Sequence, residues 1–192
     1  MKYLTAYSPA LRAQAQLWLE ANRLGPMLRQ KYPMPHHVRT DRALYDYVMD
    51  LKNNFLRSSA PLSRVAYDSK LHVIHQALGT HTTVSRVQGG KLKAKREIRI
   101  AMLFRETPLP FLRMITVHEL AHIREPAHDK AFYQLCVHME PQYHQIELDF
   151  RLYLTHRDVH GTLDWGSADD GTTAASQAGL RPGAAPGVPA DQ

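Results

Sequence analysis

The chain reads as an α+β protein, and three observations carry that reading. Apolar residues recur at helical spacing up to about residue 57, a β-branched and alternating block follows between 62 and 103, and helical spacing returns after 108. The expected arrangement is a block of strands joined by tight turns, with helices on both the N-terminal and the C-terminal side.

The first helix is expected from Ser8 to Leu24, with Leu11, Ala15 and Trp18 along one side and Gly25-Pro26 ending it. A loop follows to Arg39, and its adjacent His36 and His37 read as loop residues. A second helix is capped by Thr40 or Asp41 and runs to about Arg57, with Leu44, Tyr47, Val48, Leu51 and Phe55 as its apolar stripe. Val65-Ala66-Tyr67 and the segment Leu71 to His75 flank Asp68-Ser69-Lys70, which predicts a hairpin. Thr80 to Val87 is a further strand, Gln88-Gly89-Gly90 a second turn, and Ile98, Ile100 and Met102 alternate as the core side of a last strand.

Pro110 suits the first turn of the next helix, on which Phe111, Met114, Ile115 and His118 share a face. Pro126 disfavours a helical residue before it, so this helix must stop near Glu125. Asp129 is positioned to cap a helix to Glu140, and Pro141 opens another carrying Tyr143, Ile146, Phe150, Tyr153 and Leu154. From about residue 157 the composition collapses into Gly, Ala, Pro, Ser, Thr and Asp, which cannot bury a core. The division expected is one domain over 1–156 and a disordered tail over 157–192.

Composition narrows the class. A single cysteine, Cys136, excludes an internal disulfide, and its spacing with Phe132, Leu135 and Met139 makes it a small buried hydrophobe. The N-terminus lacks the apolar run of a signal peptide, and no segment reaches about 18 consecutive apolar residues. These features predict a cytoplasmic protein without a membrane span. The net charge of +6 favours anionic partners, among which nucleic acid, a nucleotide and an acidic polypeptide all fit.

The chemistry concentrates in His118-Glu119-Leu120-Ala121-His122. Helical positions i and i+4 lie on one face, so both imidazoles can reach one ion, and Glu119 stands beside them to deprotonate the water that the ion activates. His128 follows just past the helix break and can approach from another direction. Three protein ligands and an open position make a catalytic zinc site rather than a structural one. The bland reading is an amphipathic helix with solvated histidines, which the added His128 disfavours.

The spacing to His128 matches the metzincin pattern HExxHxxGxxH, but Glu125 stands where its glycine belongs and no Met-turn follows. The HExxH motif, the run from Pro126 to Tyr133, the stretch from Ser85 to Lys95 and Met139 to Gln145 resemble the YgjP-like metallopeptidase family instead. That family is related to the WLM and SprT-like proteases and to M48-type enzymes, and the likeness covers roughly residues 8–156. It implies a compact zincin-like domain of the minigluzincin type with a small, mainly antiparallel sheet packed on the HExxH helix, one Zn²⁺ held by His118, His122 and His128, and Glu119 as catalytic base. It also implies that an edge strand runs along the cleft. A shared site does not fix what is cleaved.

Other candidates have plainer roles beside the functional ones. Tyr143 and His144 could support a ligand or the transition state, or else pack at a helix start. Glu140 and Glu147 could replace a histidine ligand, and His138 lies too far along its helix if His128 binds. His72, His75 and His81 fall in strands without ligand spacing. Arg86, Lys91 and Lys93 lead a basic stretch around Gly89-Gly90, which is either a solvated hairpin or an anion and substrate site. Three functions therefore remain open: a metallopeptidase acting on polypeptide, a metal-dependent pyrophosphatase acting on a nucleotide such as UTP (with Mg²⁺ then also in play), and a DNA-associated or partner-binding module with a structural metal. Oligomeric state is not encoded in any of these features.

Overall fold

The computed structural model describes residues 1–71, 79–88 and 91–166, with the backbone alone over 79–88 and 91–95. Among the described residues, six α-helices and three strands follow the order α1 (Pro9–Glu20), α2 (Leu24–Lys31), α3 (Asp41–Phe55), β1 (Leu62–Asp68), β2 (Gly79–Gln88), β3 (Lys91–Ala101), α4 (Leu109–Ala121), α5 (Lys130–Met139) and α6 (Tyr143–His160). The α+β class holds.

Ser8 caps α1 by accepting the Leu11 N–H, with Pro9 at the first helical position. The helix ends where Asn22 takes a φ of 52°, a left-handed conformation that asparagine tolerates. Its buried side is set by Ala15 and Leu19, one position round from the stripe expected through Trp18. Gly25-Pro26 does not end this helix but lies in the first turn of α2. A proline there loses no hydrogen bond, because the first-turn N–H groups have no helical partner. Gly25 is needed for a crossing: a Cβ on it would come within 2.9 Å of His156 Cε1 on α6.

Thr40 caps α3 by accepting the Ala43 N–H, and Leu44, Val48 and Leu51 are buried along its stripe. Asp41 also accepts the Tyr67 N–H at 2.9 Å, fixing the start of α3 to β1.

The sheet has the order β1-β3-β2 and is mixed. β2 and β3 pair antiparallel from Gly79↔Ile100 to Gln88↔Lys91. The hairpin expected between β1 and the chain just after Lys70 falls mostly outside the described residues. β1 runs parallel to β3, with Val65 opposite Ile98. Most of the proposed partner strand, His72 to His75, lies outside the described residues, as does Gly89-Gly90. The last strand stops at Ala101, and a 3-10 turn from Met102 to Glu106 takes over, leaving Met102 exposed where alternation had placed it inside.

Nine of the 13 residues of α4 are buried, so this is the central helix of the molecule. Its Phe111 ring packs between Tyr32, Phe150 and Trp165, and Phe104 stacks on Phe150 with centroids 4.5 Å apart. Arg113 on α4 bonds the Glu140 carboxylate and the Met139 carbonyl, tying the end of α5 to α4. Buried Asp149 on α6 accepts from Lys31 and Tyr32, both at 2.6 Å, which fixes the end of α2. α6 continues to His160, past the composition change, and Trp165 is only 4% exposed. Residues 167–192 lie outside the described part.

His36 lies in the loop expected for it, but it is buried there. Its Nε2 donates to the Phe104 carbonyl at 2.8 Å and its Nδ1 accepts the Val38 N–H at 3.1 Å. That combination requires a neutral ring, and burial lowers its pKa below the usual histidine value. Protonation would set a second N–H against Val38, so acid favours the unfolded chain, where histidine titrates near about 6.5. The stabilisation is therefore complete above about pH 6.5 and is lost as pH falls towards the lowered native value. His36→Ala should lower the unfolding free energy by about 1–3 kcal/mol at neutral pH and reduce the acid loss seen in the wild type. Urea unfolding at neutral and mildly acidic pH reads both effects.

Candidate metal centre

His118 and His122 come from the last turn and the C-cap of α4. The chain then tightens: Ile123 N–H bonds the Leu120 carbonyl, and Arg124 and Glu125 N–H groups both bond the Ala121 carbonyl. Pro126 prevents continuation, and the next residues return His128 to the helix end before Asp129 caps α5 by accepting the Phe132 N–H at 3.0 Å. One nitrogen from each of His118, His122 and His128 lies within 4.8 Å of the others. Among the described residues no fourth His, Cys, Asp or Glu joins this group. Phe132 forms its floor, with its ring 4.6–4.9 Å from all three imidazole centroids.

The far side of two imidazoles is held. His122 Nδ1 donates to the Glu125 carbonyl at 3.1 Å, which fixes the proton on Nδ1 and leaves Nε2 as a lone pair. His118 Nδ1 lies 2.8 Å from the Tyr143 hydroxyl. With Nδ1–H donating to that oxygen, His118 Nε2 is likewise a lone pair, 3.1 Å from His128 Nε2. Tyr143 is itself buried, close to the Cys136 thiol. Burial, together with the neighbouring rings, lowers the His118 pKa to about 3, and burial also lowers that of His122. Both rings are thus neutral, the form a cation needs.

The donor set fits a metal ion. A Zn–N bond of about 2.0–2.1 Å in a tetrahedral site puts ligand nitrogens about 3.3 Å apart, close to the spacing of the His118 and His128 nitrogens. Glu119 points the same way. It is 2% exposed, its Oε2 has no hydrogen-bond partner, and burial pushes its pKa up to about 8. A buried carboxyl without a counter-charge is costly, and a cation alongside relieves it.

The remaining candidates separate clearly. Tyr143 supports His118. His144 is exposed at the start of α6, its ring 5.4 Å from those of Tyr133 and Tyr143, and it does not join the triad. Glu140 is engaged by Arg113, and Glu147 accepts two bonds from Arg151, so neither is free as a ligand. His138 packs edge-on against Phe55. Arg86 and Lys93 are register partners on β2 and β3, and Lys91 opens β3, but their side chains lie outside the described part. The floor provided by Phe132 was missed in the sequence, where its spacing with Cys136 and Met139 gave only a core role.

Neutral imidazoles around a common point, with a desolvated carboxyl on the same helix, are the equipment of a metal-dependent hydrolase. The chain belongs to the YgjP-like family: the family described as "YgjP-like, metallopeptidase domain" matches residues 65–152. Over 155 residues it is 58% identical to the UTP pyrophosphatase of Escherichia coli (strain K12), covering 81% of this chain and 93% of that protein. It is a hydrolase with a histidine triad able to hold a metal ion. No solved structure matches it. Among the described residues, no helix is long and apolar enough to cross a membrane.

Tyr143→Phe keeps the ring and removes the oxygen that His118 bonds. Metal affinity should fall about 10- to 100-fold with little change in melting temperature. Competition with a chromophoric chelator measures the first and a thermal melt the second.

Proposed function

We propose that this chain is a zinc-dependent nucleoside triphosphate pyrophosphatase acting on UTP or a close analogue. The observation that carries the reading is the 58% identity with a UTP pyrophosphatase across nearly the whole of that protein. His118, His122 and His128 hold one Zn²⁺, and three imidazole nitrogens suit zinc better than Mg²⁺, which prefers oxygen and would arrive with the triphosphate. When bound, zinc supplies Lewis acidity and makes water acidic enough to ionise near neutral pH.

The protein's own groups do the rest. Glu119 accepts the proton of the attacking water. The water oxygen bonds to the α-phosphorus, and the bond from that phosphorus to the oxygen bridging the α- and β-phosphates breaks. Pyrophosphate and a nucleoside monophosphate leave, with one water consumed. Glu119 suits this work because its buried position raises its basicity, and a metal ion held by the triad would favour its ionised form. Tyr143 and the Glu125 carbonyl keep two ligand rings in register. Arg86, Lys91 and Lys93 give the β2–β3 hairpin the positive charge to hold phosphates.

A second reading is kept for a specific reason. The family description is that of a metallopeptidase domain, and a base beside two helical histidines serves amide hydrolysis equally well. In that case Glu119 would carry the water's proton to the leaving amine, and a polypeptide would be the substrate.

Zinc-loaded wild type should release pyrophosphate from UTP and leave peptide libraries intact; cleavage of peptides without pyrophosphate release selects the second reading. Glu119→Gln should lower turnover by about 10²–10⁴-fold while metal analysis still finds the ion. Normal turnover by that variant would sink the assigned role.

A further inference from the structure

Beside the triad, rings continue outward along α5 and α6. His128 is 6.5 Å from Tyr133, centroid to centroid, and Tyr133 is 5.4 Å from His144. Tyr133 is half-buried and His144 exposed, so both present surface next to the metal centre. Their polar edges are uncommitted: neither the Tyr133 hydroxyl nor a His144 ring nitrogen makes a hydrogen bond among the described residues. Phe132 packs edge-on behind Tyr133 at 5.2 Å, and Tyr143 packs edge-on behind His144 at 5.4 Å. Two accessible rings are thus backed by two buried ones, which holds them in place without covering them.

We propose that Tyr133 and His144 form the nucleobase subsite of this enzyme. The base of a pyrimidine nucleotide would stack on their faces, and their free hydroxyl and ring nitrogen would meet its oxygen and nitrogen edge. The argument is one of adjacency and chemistry. In a nucleotide the base and the α-phosphate are joined through a single ribose. A base resting one ring beyond His128 therefore leaves the α-phosphorus at the triad and the β- and γ-phosphates free to extend away. The inference rests on the nucleotide reading given above and deepens it by naming what recognises the substrate's base.

Steady-state kinetics on the zinc-loaded full chain tests it. Tyr133→Ala and His144→Ala should each raise KM for UTP about tenfold, the scale of losing one base–aromatic stack, with the loss in KM rather than kcat. Inhibition by pyrophosphate, which has no base, should be unchanged in both. Tyr133→Phe, which keeps the stacking face, should recover most of the affinity. His144 is exposed, so its variant carries the test even if Tyr133→Ala folds poorly. Wild-type KM in His144→Ala and in a folded Tyr133→Ala overturns the subsite while leaving the pyrophosphatase reading intact. A wild-type enzyme that releases no pyrophosphate from any nucleotide overturns that reading, and the subsite with it.

Discussion

Everything in this molecule is arranged around one constraint: α4 must be buried on nearly every side and still bring polar groups to a common point. A helix that carries Phe111, Leu112, Ile115, Val117 and Leu120 into the core cannot also solvate His118 and Glu119. Glu119 is taken out of water and His118 is partly so, which favours the neutral imidazole and strips the carboxyl of its hydration. The cost, like that of any unpaired buried charge, is large unless a cation compensates it. The helix is therefore both the scaffold of the site and the source of its affinity for a positive charge. The sheet, α3 and α6 serve this arrangement by covering α4, and α5 completes it from the remaining direction.

Support for the site comes from three different kinds of structure. A backbone carbonyl in the turn after α4 fixes His122, a phenol on α6 supports His118, and the end of a short loop presents His128. Each is anchored independently. Glu125 is held by its N–H on Ala121, Tyr143 lies in the core beside Cys136, and His128 is set by the Asp129 cap. Arg113 ties α5 to α4 through Glu140, and Arg151 engages Glu147, so the two downstream glutamates that could have served as ligands are committed to arginines. The triad consequently collects nitrogen donors alone, which favours a borderline-soft ion over a hard one.

Much of this was legible in the residues. Helical spacing, the Pro126 break and the Asp129 cap located His118, His122 and His128, because each is a local signal read within one or two turns of chain. The fold class was legible for the same reason. What escaped was non-local. Gly25-Pro26 is equally suited to stopping a helix and to starting one, and the choice depends on a crossing with His156 that no local pattern reveals. The loop position of His36 was legible but its burial was not, because the contact that anchors it is the carbonyl of distant Phe104. Alternation placed Met102 inside, but the strand gives way to a 3-10 turn at that point. The roles of Phe132 and Tyr143 depend on how α5 and α6 lie against α4, which spacing within either helix does not contain.

The parallel placement of β1 beside β3 also bears on how the chain assembles. β2 and β3 meet across two intervening positions, so their ladder closes almost no loop. β1 meets β3 with Val65 opposite Ile98, 33 positions later, and ordering that much chain costs far more entropy before any contact is gained. The return is the burial of Val65 and Ile98 in the shared core, which requires α4 to be in place beneath the sheet. Pairing of the first strand is thus coupled to the whole core rather than to its neighbours in sequence. The sheet edge beside α3 is a reporter of global folding, whereas the β2–β3 ladder reports only local order.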